Sequence, residues 1–172
     1  GLSSEPGVSW DGGVTAGSRV GIVGLGGLGM TGARIAVITG ATVYGVEPKK
    51  AVWDAALENG VTEVFEDVSA LDGMDLDVVI DFAGFGTTTA GAIRAVKPGG
   101  TVVLVGLGKA QVTFNSIDLV SRAVHLRGST VAGNPDHLRE VIKLMASGDL
   151  RVAASEIGFD EIPDGLGRLQ RG

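Results

Sequence analysis

The chain has 172 residues, 44% of them apolar and 20% charged, enough for one globular domain with a sizeable core. Its formal charge of −6, with no basic patch, argues against nucleic acid or an anionic membrane surface as partner, and no apolar run is long enough to cross a bilayer. There are no cysteines, which removes disulfides and thiolate metal sites; with no basic start and apolar middle in residues 1–18 to mark a signal peptide, this is compatible with a cytoplasmic home.

Residues 1–18, with Glu5-Pro6 and Asp11-Gly12-Gly13, read as a linker or connecting segment that Trp10 could anchor. Arg19–Val23 is a strand whose near-continuous apolar character suits a parallel sheet buried on both faces. Leu28–Thr39 is a helix with Gly32, Ala33 and Ala36 keeping one side small. Thr42–Val46 is the second strand. Pro48 suits a first helical position, so Lys49–Asn59 is expected as the next helix, closed by Gly60. Glu63–Phe65 is a brief third strand, followed by a polar connection over 66–76.

Asp77–Phe82 is the fourth strand and Thr87–Val96 a helix, ended by Lys97-Pro98-Gly99-Gly100. Thr101–Val105 is the fifth strand, Asn115–Arg122 a short helix and His125–Ser129 the sixth strand. Asn134-Pro135-Asp136 then opens a helix whose Leu138, Val141, Ile142 and Met145 predict one buried face. Six alternations of strand and helix predict a doubly wound parallel α/β sheet of six strands in the order 3-2-1-4-5-6.

The chemistry centres on Gly24-Leu25-Gly26-Gly27-Leu28-Gly29. It joins a buried strand to a helix N-terminus, where free backbone N–H groups and a partial positive charge suit a pyrophosphate. Glu47 ends the second strand, placed to accept hydrogen bonds from an adenosine ribose and to repel a 2′-phosphate, which favours NAD over NADP. Against this, Glu47 could simply decorate a helix N-terminus. Lys49 and Lys50 keep NADP open through phosphate pairing, although both also read as exposed helix residues.

The ends of strands four and five nominate Phe82, Ala83 and Gly84, then Val105, Gly106 and Leu107, as crevice lining, with plain strand-exit turns as the alternative. Asp81 inside an apolar strand reads as a cap for nearby backbone N–H groups rather than a catalytic base. His125 and His137 lack ligand spacing. The serines lack a nucleophile context. No set of residues suited to acid–base or metal work is evident.

With these motifs, the chain resembles the cofactor-binding (Rossmann) domain of the zinc-type medium-chain dehydrogenase/reductase superfamily, the alcohol and polyol dehydrogenases, over residues 14–172. The resemblance rests on Val14–Val20, the glycine motif, Asp77–Asp81 with Ala83-Gly84, Val96–Leu107, and the tail Phe159–Ile162 with Leu166, Leu169 and Gly172. It implies an oxidoreductase passing a hydride between NAD(P) and an alcohol–carbonyl pair. On that basis Gly24, Gly26, Gly27, Leu28 and Gly29 would contact the pyrophosphate and Glu47 the ribose, while Lys49 joins the cofactor-binding residues for the phosphate pairing that its charge allows. Ala83, Gly84, Gly106, Leu107, Thr130 and Val131 would border the nicotinamide. It also implies a homodimer through the edge strand Val124–Ser129.

The family's catalytic zinc is held in a separate domain whose ligands do not occur in this sequence. The expected division is therefore a dinucleotide-binding domain over 19–156 and a return segment over 157–172 leading toward a catalytic domain. The chain alone is expected to bind nucleotide without turnover. A non-enzymatic nucleotide-sensing module and a methyltransferase are the competing readings.

Overall fold

The computed structural model describes residues 13–130, 135–152, 154 and 156–171, and every structural statement below concerns these. The elements are β1 (Arg19–Val23), α1 (Gly27–Ile38), β2 (Thr42–Val46), α2 (Trp53–Glu58), β3 (Glu63–Phe65), β4 (Leu76–Asp81), α3 (Thr87–Ala95), β5 (Val96–Leu104), α4 (Ser116–Val120), β6 (His125–Gly128), α5 (Pro135–Ser147) and α6 (Ile162–Arg171). The sheet runs β3-β2-β1-β4-β5-β6 with every neighbouring pair parallel, the order the alternation predicts.

Successive strand residues point to opposite faces, and both faces are covered. On one, Val20, Ile22, Val43, Val78, Ile80 and Val103 pack with Ala33 and Ala36 of α1 and Ala56 of α2. On the other, Val23, Val46, Val79 and Val102 pack with Ala92, Ile93 and Ala95 of α3. Small residues bring α1 close to the sheet: a methyl group at Gly32 would lie 2.8 Å from the Phe82 ring.

Several expectations are corrected. The helix over Lys49–Asn59 is a 3-10 turn, Lys50–Val52, followed by the short α2, and Pro48 lies outside both. The reason is local: the Lys49 N–H donates to Glu47 Oε1 (2.9 Å) and Trp53 Nε1 donates to the Glu47 carbonyl (2.8 Å), which closes the segment as a turn. The connection 66–76 contains a 3-10 turn, Val68–Leu71, with Val68 and Leu71 buried and Asp67 capping it through the Ser69 N–H. Lys97-Pro98-Gly99-Gly100 does not end a helix; it is the bulged start of β5, where the register jumps from Leu76 opposite Val96 to Val78 opposite Thr101.

The predicted buried face of α5 is mostly open: Leu138 is 63% exposed, and Ile142 and Met145 are also exposed. The spacing reports an apolar stripe, but coverage depends on a neighbour, and the described residues supply only partial contact through Val141 and Leu144. All of β6 is exposed too.

At the amino end of the sheet, Asp77 accepts from the Arg19 N–H (2.7 Å) and pairs with Lys97. The Arg19 N–H bond, then Lys97, hold its carboxyl below the usual carboxylate range. A depressed folded-state pKa gives stability that is present above the unfolded value and is lost as pH falls through the folded value. Asp77→Asn is therefore expected to cost about 1 kcal/mol near neutrality. It should also flatten the acid limb of urea unfolding measured between about pH 3 and 7.

Candidate dinucleotide site

β1 ends at Val23, and the chain reverses at Gly24 with φ +87°, a conformation that glycine adopts without strain. The turn is anchored by the Gly24 N–H to the Val46 carbonyl (2.8 Å) and by Leu25, which is buried against Gly45. Gly26 caps α1 with no side-chain hydrogen bond, and no acidic residue lies in the first turn. The positive end of a twelve-residue helix thus opens outward without an internal counter-charge.

The motif's glycines differ in surroundings. A methyl group at Gly26 or Gly27 would meet nothing within 4 Å, whereas one at Gly29 would fall 1.8 Å from the Gly24 carbonyl oxygen. Gly29 therefore lets helix and turn touch, while Gly26 and Gly27 leave room for a ligand. A cleft of about 380 Å³ opens here, lined by Gly24, Gly26, Gly27, Leu28, Gly29, Phe82, Ala83 and Phe85. Leu28, 71% exposed, and Phe85 form apolar walls around a floor of backbone.

Glu47 is half-buried at the end of β2. Its Oε2 accepts from the Leu25 N–H (3.0 Å) and its Oε1 from the Lys49 N–H. It does not cap a helix; it ties the glycine turn to the loop after β2. A carboxylate has about four acceptor sites, so capacity remains for hydroxyl donors. Lys50 pairs with Glu66 (3.2 Å) and lies over the Trp53 ring, while Lys49 is exposed.

On the other side of the cleft stand the exits of β4 and β5. Asp81 is fully buried. Its Oδ1 accepts from the N–H groups of Ala83 (3.0 Å) and Gly84 (2.8 Å), and its Oδ2 from the hydroxyls of Thr88 (2.9 Å) and Thr89 (2.7 Å). This is the capping role the sequence favoured. The two exit loops touch backbone to backbone: a methyl group at Gly84 would lie 2.0 Å from the Gly106 carbonyl oxygen. Leu107 projects into solvent, 88% exposed, and Thr130 is exposed beyond the end of β6. Val131 lies outside the described residues.

The fold thus gathers Gly24, Gly26, Gly27, Leu28, Gly29 and Ala83 in one cleft, with Gly84, Gly106 and Leu107 adjoining through backbone contact. Glu47 and Lys49 sit on the β2 side and Thr130 at the far end beyond β5. Sequence reasoning missed Phe85 as lining and Thr88 and Thr89 as partners of Asp81. The run Thr87-Thr88-Thr89 just past a buried acid was the available signal. A second cavity, about 790 Å³, separates Gly26 and Gly27 from α6, with Ile157, Ile162, Leu166, Arg168 and Leu169 on its far wall. Among the described residues no group of three or more His, Cys, Asp or Glu could hold a metal ion. Among the described residues no helix is long and apolar enough to cross a membrane.

A parallel sheet in this order, with a glycine turn opening a helix at the crevice where the strand order reverses, defines a Rossmann-type doubly wound domain. The chain belongs to the zinc-binding dehydrogenase family, whose model matches residues 27–147. It is 30% identical over 165 residues to a probable D-xylulose reductase A of Aspergillus fumigatus, covering 88% of this chain and 46% of that protein. It is also similar to the structure of acetophenone reductase from Geotrichum candidum in complex with NAD (TM-score 0.87, 29% identity, 94% of this chain and 47% of that one). A zinc-binding dehydrogenase from Sinorhizobium meliloti, described as putative and bound to NADP, superposes with a TM-score of 0.73 at 31% identity, covering 82% of this chain and 45% of that one. The chain spans about half the length of the curated relatives it matches. The methyltransferase alternative falls with the family membership.

Proposed function

We propose that this chain is the NAD(H)-binding half of an alcohol dehydrogenase-like oxidoreductase, presenting nicotinamide for hydride transfer between an alcohol and a carbonyl. The observation that carries the reading is the uncapped N-terminus of α1, open over Gly26 and Gly27 with Glu47 beside it. Bound nicotinamide would supply the hydride donor or acceptor. The chain's own residues bind and orient it. First-turn N–H groups of α1 take the pyrophosphate, Glu47 accepts from the ribose, and the exits of β4 and β5 border the ring together with Thr130 and Val131. Lys49 lies near enough to Glu47 to temper its preference for NAD over NADP. The substrate and the family's zinc fall to another part of the enzyme, so this chain alone is expected to bind cofactor without turnover.

Residues 157–172 are read as the segment leading to that part. The edge strand over Val124–Ser129, exposed from His125 to Gly128, is read as the seam of a homodimer, since an edge strand is a template for pairing with another chain. A cytoplasmic home fits the lack of cysteines.

NADH titration followed by nicotinamide fluorescence tests the reading, with NADPH in parallel. NADH is expected to bind more tightly than NADPH by about tenfold, because the Glu47 charge repels a 2′-phosphate. Glu47→Gln should weaken NADH about tenfold and narrow that gap. Unchanged NADH affinity in Glu47→Gln would remove the ribose assignment, and no NADH binding by the wild type would remove the function.

A further inference from the structure

Asp81 has more partners than a strand residue needs. Its carboxylate is fully buried and draws inward two consecutive backbone N–H groups, those of Ala83 and Gly84. The next N–H, of Phe85, goes to the Thr88 hydroxyl (3.1 Å), which itself donates to Asp81. The Asp81 carbonyl meanwhile accepts from the N–H groups of both Val105 (3.0 Å) and Gly106 (2.9 Å). One residue thus holds the first turn after β4 through its side chain and the first turn after β5 through its backbone.

The two turns are then locked together. The Gly108 N–H donates to the Ala83 carbonyl (3.2 Å) and the Lys109 N–H to the Gly84 carbonyl (2.9 Å). Side chains are excluded where they cross, since a methyl group at Gly106 would lie 2.4 Å from the Phe82 carbonyl oxygen. Ala83 also abuts the glycine turn, 3.2 Å from where a methyl group at Gly24 would stand. Burying a carboxylate is costly unless it is fully hydrogen-bonded, and a neutral side chain could shape a strand exit at lower cost. What the charge adds is stronger, shorter bonds to the N–H groups of a turn whose position matters.

We propose that Asp81, with Thr88 and Thr89, is a positioning residue for the nicotinamide end of the cofactor. It fixes the exits of β4 and β5 as one rigid rim, and it touches no cofactor atom itself. This rests on the dinucleotide reading above. With the adenosine ribose at Glu47 on the β2 side and the pyrophosphate at the α1 N-terminus, the remaining half of a dinucleotide must lie over the ends of β4 and β5. The hydrogen bonds of the network end on the exits of β4 and β5 and include neither Glu47 nor Gly26 and Gly27; its one approach to the other half is the packing of Ala83 against Gly24.

The test compares NADH with ADP-ribose, which carries the adenosine and pyrophosphate without nicotinamide, by calorimetry on the full chain. The variants are Asp81→Asn and Thr88→Val. Asp81→Asn keeps the shape and one acceptor for the turn, but removes the charge. Thr88→Val keeps the buried carboxylate and removes one donor to it together with the acceptor of the Phe85 N–H, and its half-buried position makes it the variant to read should Asp81→Asn fail to fold. The expected result is NADH weakened about tenfold by either variant with ADP-ribose affinity changed less than about twofold. A general loosening of the domain would not produce that split. Equal losses for both ligands, or no loss for either, would overturn the proposal while leaving the dinucleotide reading intact. A wild-type chain that binds neither ligand would overturn both.

Discussion

Gly26→Ala is expected to leave the fold within about 1 kcal/mol of the wild type and to weaken NADH about a hundredfold. Gly26 is exposed with extended backbone (φ −70°, ψ −168°), a conformation open to any residue, and its added methyl group would touch nothing within 4 Å. Alanine is a poorer N-cap than glycine, which sets the stability term. The methyl group would, however, stand in the cleft in front of the first-turn N–H groups. A phosphate oxygen must come within about 3 Å of those groups, and a methyl group keeps it further away. Thermal unfolding and calorimetric NADH titration of the same preparation measure the two effects. Retained NADH affinity would mean that no phosphate lies over Gly26.

Gly29→Ala, three residues along, should do the reverse and damage the fold first. Its methyl group would lie 1.8 Å from the Gly24 carbonyl oxygen and 2.9 Å from the Gly24 carbonyl carbon, so backbone rather than a flexible side chain must give way. The cost should reach or exceed about 3 kcal/mol, the upper end for overpacking. Either α1 moves off the sheet or the turn opens, and NADH binding is lost in both cases. Urea unfolding of the variant reads the cost directly. A loss below about 1 kcal/mol would mean that the turn tolerates displacement and that its geometry is not set by this contact.

The strand order could be read from the sequence because each term was local. Val20–Val23 and Val78–Ile80 are apolar on both faces, and glycines separate strand from helix at fixed offsets. The glycine turn was legible for the same reason, since its steric demands arise within six residues. Features that depend on a distant partner were not. The bulged start of β5 looks like turn chemistry until Asp77 and Val78 are set beside it. The stripe on α5 reports an apolar face, but whether that face is covered depends on neighbours that its own spacing does not specify. Glu47 was recognised as an acceptor at the end of β2, but its tie to the Leu25 N–H spans twenty-two positions and leaves no pattern in either segment. Asp81 was placed as a cap, whereas the convergence of Thr88 and Thr89 on it needs the chain to double back through Gly84.

The contact between Gly24 and Ala83 also sets an order of events during synthesis. The glycine turn is made early, yet it leans on a residue translated nearly sixty positions later, which in turn is held by the exit of β5. A nascent chain that has emerged only through β2 already carries the whole glycine motif and Glu47, but it has neither β4 to flank β1 nor a wall for the cleft. Chains emerge from the amino end first, so the motif must wait, unpaired on one side, until Gly106 is clear of the ribosome. The cleft therefore has its full lining only once β4 and the residues that follow it, Phe82, Ala83 and Phe85, are in place.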